Sequence, residues 1–209
     1  MQSESSPFEP PLVAILRGVT PERVVDVGRV LHAAGIRVIE VPLNSPQPFR
    51  SIEALAAAAL PEMIVGAGTV LNVDDATRTH QAGGRLIVAP NCNSEVIQRA
   101  LSHAMRVMPG VATATEVFAA IDAGARQLKL FPAATYGPKH LQALGAVLPR
   151  GVGIYPVGGV TAEDIPGWLA AGAAGFGFGS EVFKAEYSLG DIQQRATALV
   201  RALQAARKK

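Results

Sequence analysis

Cysteine is almost missing from this chain. Cys92 stands alone among 209 residues, which excludes an internal disulfide framework and any metal site built on several thiolates, and fits a reducing compartment. An excess of either charge is missing too: 19 Lys and Arg face 17 Asp and Glu, a formal net charge of +2. The basic residues are scattered apart from Arg207-Lys208-Lys209, which reads as a solvated helix end, so nothing argues for a nucleic-acid partner. No apolar stretch reaches spanning length without Gly, Pro or charge, so no membrane partner is expected. The start, Met1 to Pro7, shows neither the basic nor the apolar segment of a secretory signal. His32, His80, His103 and His140 have no metal-type ligand at i+2 or i+4; they read as surface residues, and no metal is expected. These absences together lead to the expectation of a soluble, cytoplasmic protein.

What the chain does have is a repeated unit. Ala34-Gly35, Ala82-Gly83, Ala123-Gly124 and Ala171-Gly172 each read as a helix end followed by a left-handed glycine cap. A short apolar run follows each: Val38 to Val41, Leu86 to Val88, Gln127 to Leu130 and Gly175 to Phe178. Four more runs, Leu12 to Leu16, Met63 to Val65, Arg106 to Met108 and Gly153 to Tyr155, complete eight strand candidates a little over twenty residues apart. Helix starts fall between them. Thr20-Pro21 and Ser45-Pro46 place a hydroxyl before a first-turn proline. Thr113 with Glu116, and Thr161 with Asp164, have capping-box spacing. This pattern predicts an α/β fold, a (β/α)₈ TIM barrel spanning residues 1–209 as one compact domain, with 1–10 a short N-terminal extension. The competing architecture is a doubly wound open sheet. Its Gly-rich nucleotide turn after the first strand is not present in Leu16-Arg17-Gly18-Val19.

Two charges interrupt the most apolar strands: Glu40 in Val38 to Leu43, and Lys129 in Leu128 to Pro132. Burying either alone is costly, so each needs a partner or a shifted pKa. A desolvated lysine sheds its proton and becomes a nucleophilic amine able to form a Schiff base, and a nearby carboxyl could move protons at the adjoining carbon. A structural ion pair would account for the same two residues. In a barrel of this kind the reacting groups sit at the C-terminal strand ends. Arg17, Asn44, Thr69, Val157, Gly159, Gly179 and Ser180 all fall there. The glycine pairs after the last two strands read as an anion cradle of backbone N–H groups, with Ser180 adding a hydroxyl; tight turns alone are the plainer reading. Arg17 at a strand end reads as an anion ligand or a surface residue, and Thr69 as a pocket residue or a helix cap. Cys92, just past a strand end, reads as structural.

Five motifs in order carry a family resemblance: Ala14-Ile15-Leu16-Arg17-Gly18, Glu40-Val41-Pro42-Leu43-Asn44-Ser45-Pro46, Gly66-Ala67-Gly68-Thr69-Val70-Leu71, Lys129-Leu130-Phe131-Pro132 and Val157-Gly158-Gly159-Val160-Thr161. From about Leu12 to the last helix the chain resembles the class I aldolases of 2-keto-3-deoxy-6-phospho sugar acids. The resemblance implies a (β/α)₈ barrel and a homotrimer that cleaves the phosphorylated sugar acid reversibly to pyruvate and D-glyceraldehyde 3-phosphate. It implies Lys129 as Schiff-base lysine and Glu40 as proton carrier. Arg17 and Thr69 would contact the carboxylate end, and Gly159, Gly179 and Ser180 would hold the phosphate. No organic cofactor is expected, because the iminium is the electrophile. Asn44 and Val157 stand where the phosphogluconate branch carries Arg and Thr, and so resemble the phosphogalactonate branch. The phosphogluconate reaction, or a phosphate-binding barrel without Schiff-base chemistry, are the alternatives.

Overall fold

The computed structural model describes residues 8–208. Strands and helices alternate along the chain. The strands are β1 (Leu12–Ile15), β2 (Val38–Pro42), β3 (Ile64–Gly68), β4 (Leu86–Val88), β5 (Arg106–Met108), β6 (Gly110–Val111), β7 (Gln127–Leu130), β8 (Gly153–Pro156) and β9 (Phe176–Phe178). The helices are α1 (Pro21–Ala33), α2 (Pro48–Ala57), α3 (Val73–Gln81), α4 (Ser94–Ser102), α5 (Ala114–Asp122), α6 (Ala133–Gly145), α7 (Ile165–Ala170) and α8 (Leu189–Arg207). Every strand pairing is parallel. One six-stranded sheet runs β5-β4-β3-β2-β1-β9 and one three-stranded sheet runs β6-β7-β8. A parallel bridge from Val157 to Gly177 ties the second sheet to the first. The fifth strand candidate, Arg106 to Met108, is β5; Pro109, with no N–H for a ladder, separates it from the short additional strand β6.

All four Ala-Gly endings behave as the sequence suggested. Ala34, Ala82, Ala123 and Ala171 are C-caps, and the glycines after them have φ between 85° and 107°, the left-handed region that costs glycine least. Thr113 and Glu116 form a complete capping box on α5. Asp164 accepts from the Thr161 N–H and hydroxyl, and α7 begins just after it. Ser45-Pro46 does not start a helix. Helix α2 begins at Pro48, with Gln47 in a left-handed N-cap, because the buried Ser45 hydroxyl is engaged elsewhere, accepting from the Gly18 N–H at 3.0 Å. Helix α6 is broken at Gly137 (φ 75°), one residue before Pro138.

The period-2 alternation of the strands sorts their side chains into two cores. Leu12, Ala14, Leu16, Ile39, Val41, Leu128, Leu130, Ile154, Phe176 and Phe178 belong to the large core that packs under the helices. The opposite strand faces share a second cluster: Val13, Val38, Leu86, Val88, Met108 and Tyr155, capped by Phe8. Phe8 meets the Tyr155 ring edge-on at 5.9 Å. Glu9 pairs with Arg207 of α8. Of the expected N-terminal extension, residues 1–10, the first seven lie outside the described residues; Phe8 is packed and Glu9 is paired. His80 and His103, read as surface histidines, stack at 4.5 Å where α3 meets α4, and burial pushes the His103 imidazole below its ordinary pKa.

Candidate active site

Alternation also places the two isolated charges. In β2, Ile39 and Val41 face the helices, so Glu40 faces inward with Val38 below it. In β7, Leu128 and Leu130 face the helices, so Lys129 faces inward beside Tyr155 of β8. Both side chains are buried, Glu40 at 1% and Lys129 at 6% exposure. Gly68 makes room for the carboxyl: a Cβ there would lie 1.7 Å from Glu40 Oε2 and 2.4 Å from Oε1. The ammonium of Lys129 lies 4.9 Å from the centre of the Phe131 ring.

The electrostatics of the two groups run in opposite senses. Burial raises the Glu40 pKa to about 7 from an ordinary 4.5, while the positive charges of Lys129 and Arg17 pull it back down. Burial lowers Lys129 below its ordinary 10.5; Glu40 opposes this and Arg17 adds to it. No ion pair joins the carboxyl to the amine among the described residues, and Glu40 Oε2 has no hydrogen-bond partner. An unpaired buried acceptor costs about 1–3 kcal/mol, so a tight structural ion pair does not describe this arrangement. A carboxyl near neutrality beside a depressed amine is suited to exchanging protons and attacking a carbonyl.

A cavity of about 490 Å³ opens above these groups. Arg17, Lys129, Val157, Gly159, Gly179 and Ser180, six of the nine residues singled out in the sequence, line it. The other three are not among its lining residues. Glu40 is in register with Ile15, another lining residue. Asn44 Oδ1 accepts a hydrogen bond from Arg17 Nη1. Thr69 follows Gly68 in a left-handed conformation (φ 57°), a strained state for a β-branched residue. Thr69 is not a helix cap, because Asn72 caps α3.

The glycine loops form one wall. Gly158 and Gly159 have φ of 94° and 73°. A Cβ on Gly159 would lie 2.6 Å from Ala134 Cβ, and one on Gly158 would press on the Phe131 ring at 3.3 Å. A further part of the lining was not anticipated. It is the segment from Glu181 to Glu186, with Phe183 and Lys184 turned to the cavity. Arg23 of α1 fastens it from behind, donating to the Ala185 carbonyl and, at 2.8 Å, to the Tyr187 carbonyl. Tyr187 in turn donates to the Ser180 carbonyl. A contact across more than 160 residues leaves no local signal in the sequence. Cys92 is half-buried, and burial pushes its thiol up. No group of three or more His, Cys, Asp or Glu suited to a metal occurs among the described residues, and no helix there is long and apolar enough to cross a membrane.

A parallel α/β scaffold that presents a buried amine to a cavity, with a buried carboxyl close enough to act on its charge, is the equipment of a carbonyl-chemistry enzyme. Comparison with known proteins narrows that class: a family model described as KDPG and KHG aldolase matches residues 5–199. The chain belongs to this aldolase family. It is 47% identical over 193 residues to a 2-dehydro-3-deoxy-6-phosphogalactonate aldolase of Escherichia coli K12, covering 92% of this chain and 94% of that one. A solved structure described as native KDPGal superposes with a TM-score of 0.93 at 42% identity, covering 100% of this chain and 99% of that one. A 2-keto-3-deoxy-6-phospho-gluconate aldolase from Zymomonas mobilis superposes with a TM-score of 0.82 at 27% identity, covering 90% and 91%.

Proposed function

We propose that this protein is a class I aldolase that cleaves 2-dehydro-3-deoxy-6-phospho-D-galactonate reversibly to pyruvate and D-glyceraldehyde 3-phosphate. The observation that carries the reading is Lys129 and Glu40, buried on one face beneath a cavity walled by glycine loops. The 47% identity to a phosphogalactonate aldolase supports the substrate. Lys129, as the free amine, attacks the C2 ketone; loss of water leaves a protonated Schiff base. Glu40, as carboxylate, takes the C4 hydroxyl proton. The C3–C4 bond breaks, its electrons pass to the iminium, and the aldehyde departs from an enamine. Glu40 returns its proton to C3, and water releases pyruvate from Lys129. Arg17 and Thr69 take the carboxylate end. The phosphate lies against Gly159, Gly179 and Ser180, where backbone N–H groups and a hydroxyl converge. Val157, on the cavity wall between them, faces the C4 region of the substrate.

In this reading the two sheets close into one (β/α)₈ barrel. Residue 109 joins them along the chain, and the Val157–Gly177 bridge joins them at the other edge. The protein works as a single-domain cytoplasmic enzyme of galactonate breakdown, assembled as a homotrimer, which sedimentation equilibrium checks directly. The deciding experiment has two arms. Borohydride with pyruvate should leave a stable adduct on Lys129. Cleavage of the two C4-epimeric phosphosugar acids, side by side, should favour the galacto compound. Absence of the adduct would overturn the Schiff base, and a preference for the gluco epimer would overturn the substrate.

A further inference from the structure

The strand-end loops after β1 and β2 are laced by two consecutive contacts. Gly18 donates to the buried Ser45 hydroxyl at 3.0 Å. One residue earlier, Arg17 Nη1 donates to Asn44 Oδ1, which is the only hydrogen bond of that guanidinium among the described residues. Arg17 is exposed, so burial does little to fix its long side chain. Its charge nevertheless reaches both buried reacting groups. It favours the ionised carboxyl at Glu40 and the free amine at Lys129, the forms that abstraction and attack require. A guanidinium released into water would lose much of that influence to solvent and salt. The other charges around Lys129 are Glu40 from β2 and, also lining the cavity, Glu181, Lys184 and Glu186.

We propose that Asn44 is a positioning residue: its side-chain carbonyl holds the Arg17 guanidinium over the cavity and acts on the reaction through Arg17, without contact to the substrate. This rests on the Schiff-base reading of Lys129. It assigns a role to a residue outside the cavity lining, and separates Asn44 from the groups that bind ligand.

The test is a double-mutant cycle, Asn44→Ala, Arg17→Ala and both together. The readout is the rate of borohydride trapping at saturating pyruvate, followed across pH. In Asn44→Ala, trapping should slow roughly three- to tenfold near neutrality, the scale expected when one unit charge moves from near the amine into solvent, and should recover at higher pH. In the Arg17→Ala background the same change should do nothing further. Asn44→Gln, which keeps the amide carbonyl, should restore part of the loss and guards against a folding defect. An equal loss with and without Arg17, or a loss that is the same at every pH, would overturn the positioning role and leave the lysine chemistry standing. Failure of the unmodified protein to trap pyruvate would overturn the Schiff-base reading itself.

Discussion

Replacing Glu40 by Gln should stabilise the fold while disabling the enzyme, and the two effects separate by pH. Burial holds the Glu40 carboxyl at about 7, against an ordinary 4.5. Because the folded value is raised, the unfolded chain ionises first as pH climbs. Stability is therefore highest below about 4.5, falls as pH rises toward 7, and levels off above it. Holding a carboxyl at about 7 where the unfolded chain has 4.5 costs about 3 kcal/mol above both values. Gln does not titrate. The stability difference between Glu40→Gln and the unmodified protein should thus be smallest in acid and grow by about 3 kcal/mol toward pH 8. Loss of the carboxylate also removes a charge that raises Lys129, so the amine stays free and pyruvate trapping persists. Turnover should fall by roughly 10²–10⁴-fold, the usual contribution of a general acid–base group. Chemical denaturation at a series of pH values, at fixed protein concentration, measures the first effect; steady-state cleavage and borohydride trapping measure the second. A stability difference that does not change with pH would refute the claim that an ionised carboxyl is being held against its desolvation.

The remaining expectations concern the neighbours of that carboxyl. Lys129→Ala should abolish both cleavage and pyruvate trapping, since Lys184, the other lysine lining the cavity, is exposed and not buried as Lys129 is; a trapped adduct in that variant would remove Lys129 from the chemistry. Gly68→Ala forces the Glu40 carboxyl aside, because the new methyl would sit 1.7 Å from Oε2; it should cost turnover on the scale of Glu40→Gln while trapping survives, and unchanged turnover would show that the carboxyl need not stay in place. Val157→Thr keeps the shape of a side chain that lines the cavity and adds a hydroxyl there. The kcat/KM ratio of the two C4 epimers should move toward the gluco compound by a few-fold to about tenfold, the worth of one neutral hydrogen bond. A ratio that stays put or moves the other way would place stereochemical choice elsewhere.

The strands were legible because their boundaries are written in turn chemistry. Each Ala-Gly ending fixes where a helix must stop, and the apolar run after it has little choice but to enter a sheet. Glu40 and Lys129 stood out for the same reason, as charges where the local pattern demands apolar residues. Features that depend on the third dimension stayed hidden. Ser45-Pro46 has the local chemistry of a helix start, yet the Ser45 hydroxyl is drawn to Gly18, on another strand end. The left-handed Thr69 runs against the backbone preference of a β-branched residue, so no local rule pointed to it. The lining segment after β9 is held by Arg23, a residue whose partners Ala185 and Tyr187 lie at the other end of the chain. The short additional strand β6, past Pro109, was not foreseen, because Arg106 to Met108 alone satisfied the strand pattern.

Phe8, packed on Tyr155 over Val13, Val38 and Met108, closes the inward space from below. The pocket is therefore a cup and not a tunnel, and traffic through it has one lane. Whatever is anchored deepest leaves last. With the three-carbon piece bonded to Lys129 as proposed, the aldehyde phosphate leaves first in the cleavage direction and pyruvate only after its bond to the lysine is hydrolysed. In the reverse direction the order of entry inverts, pyruvate first.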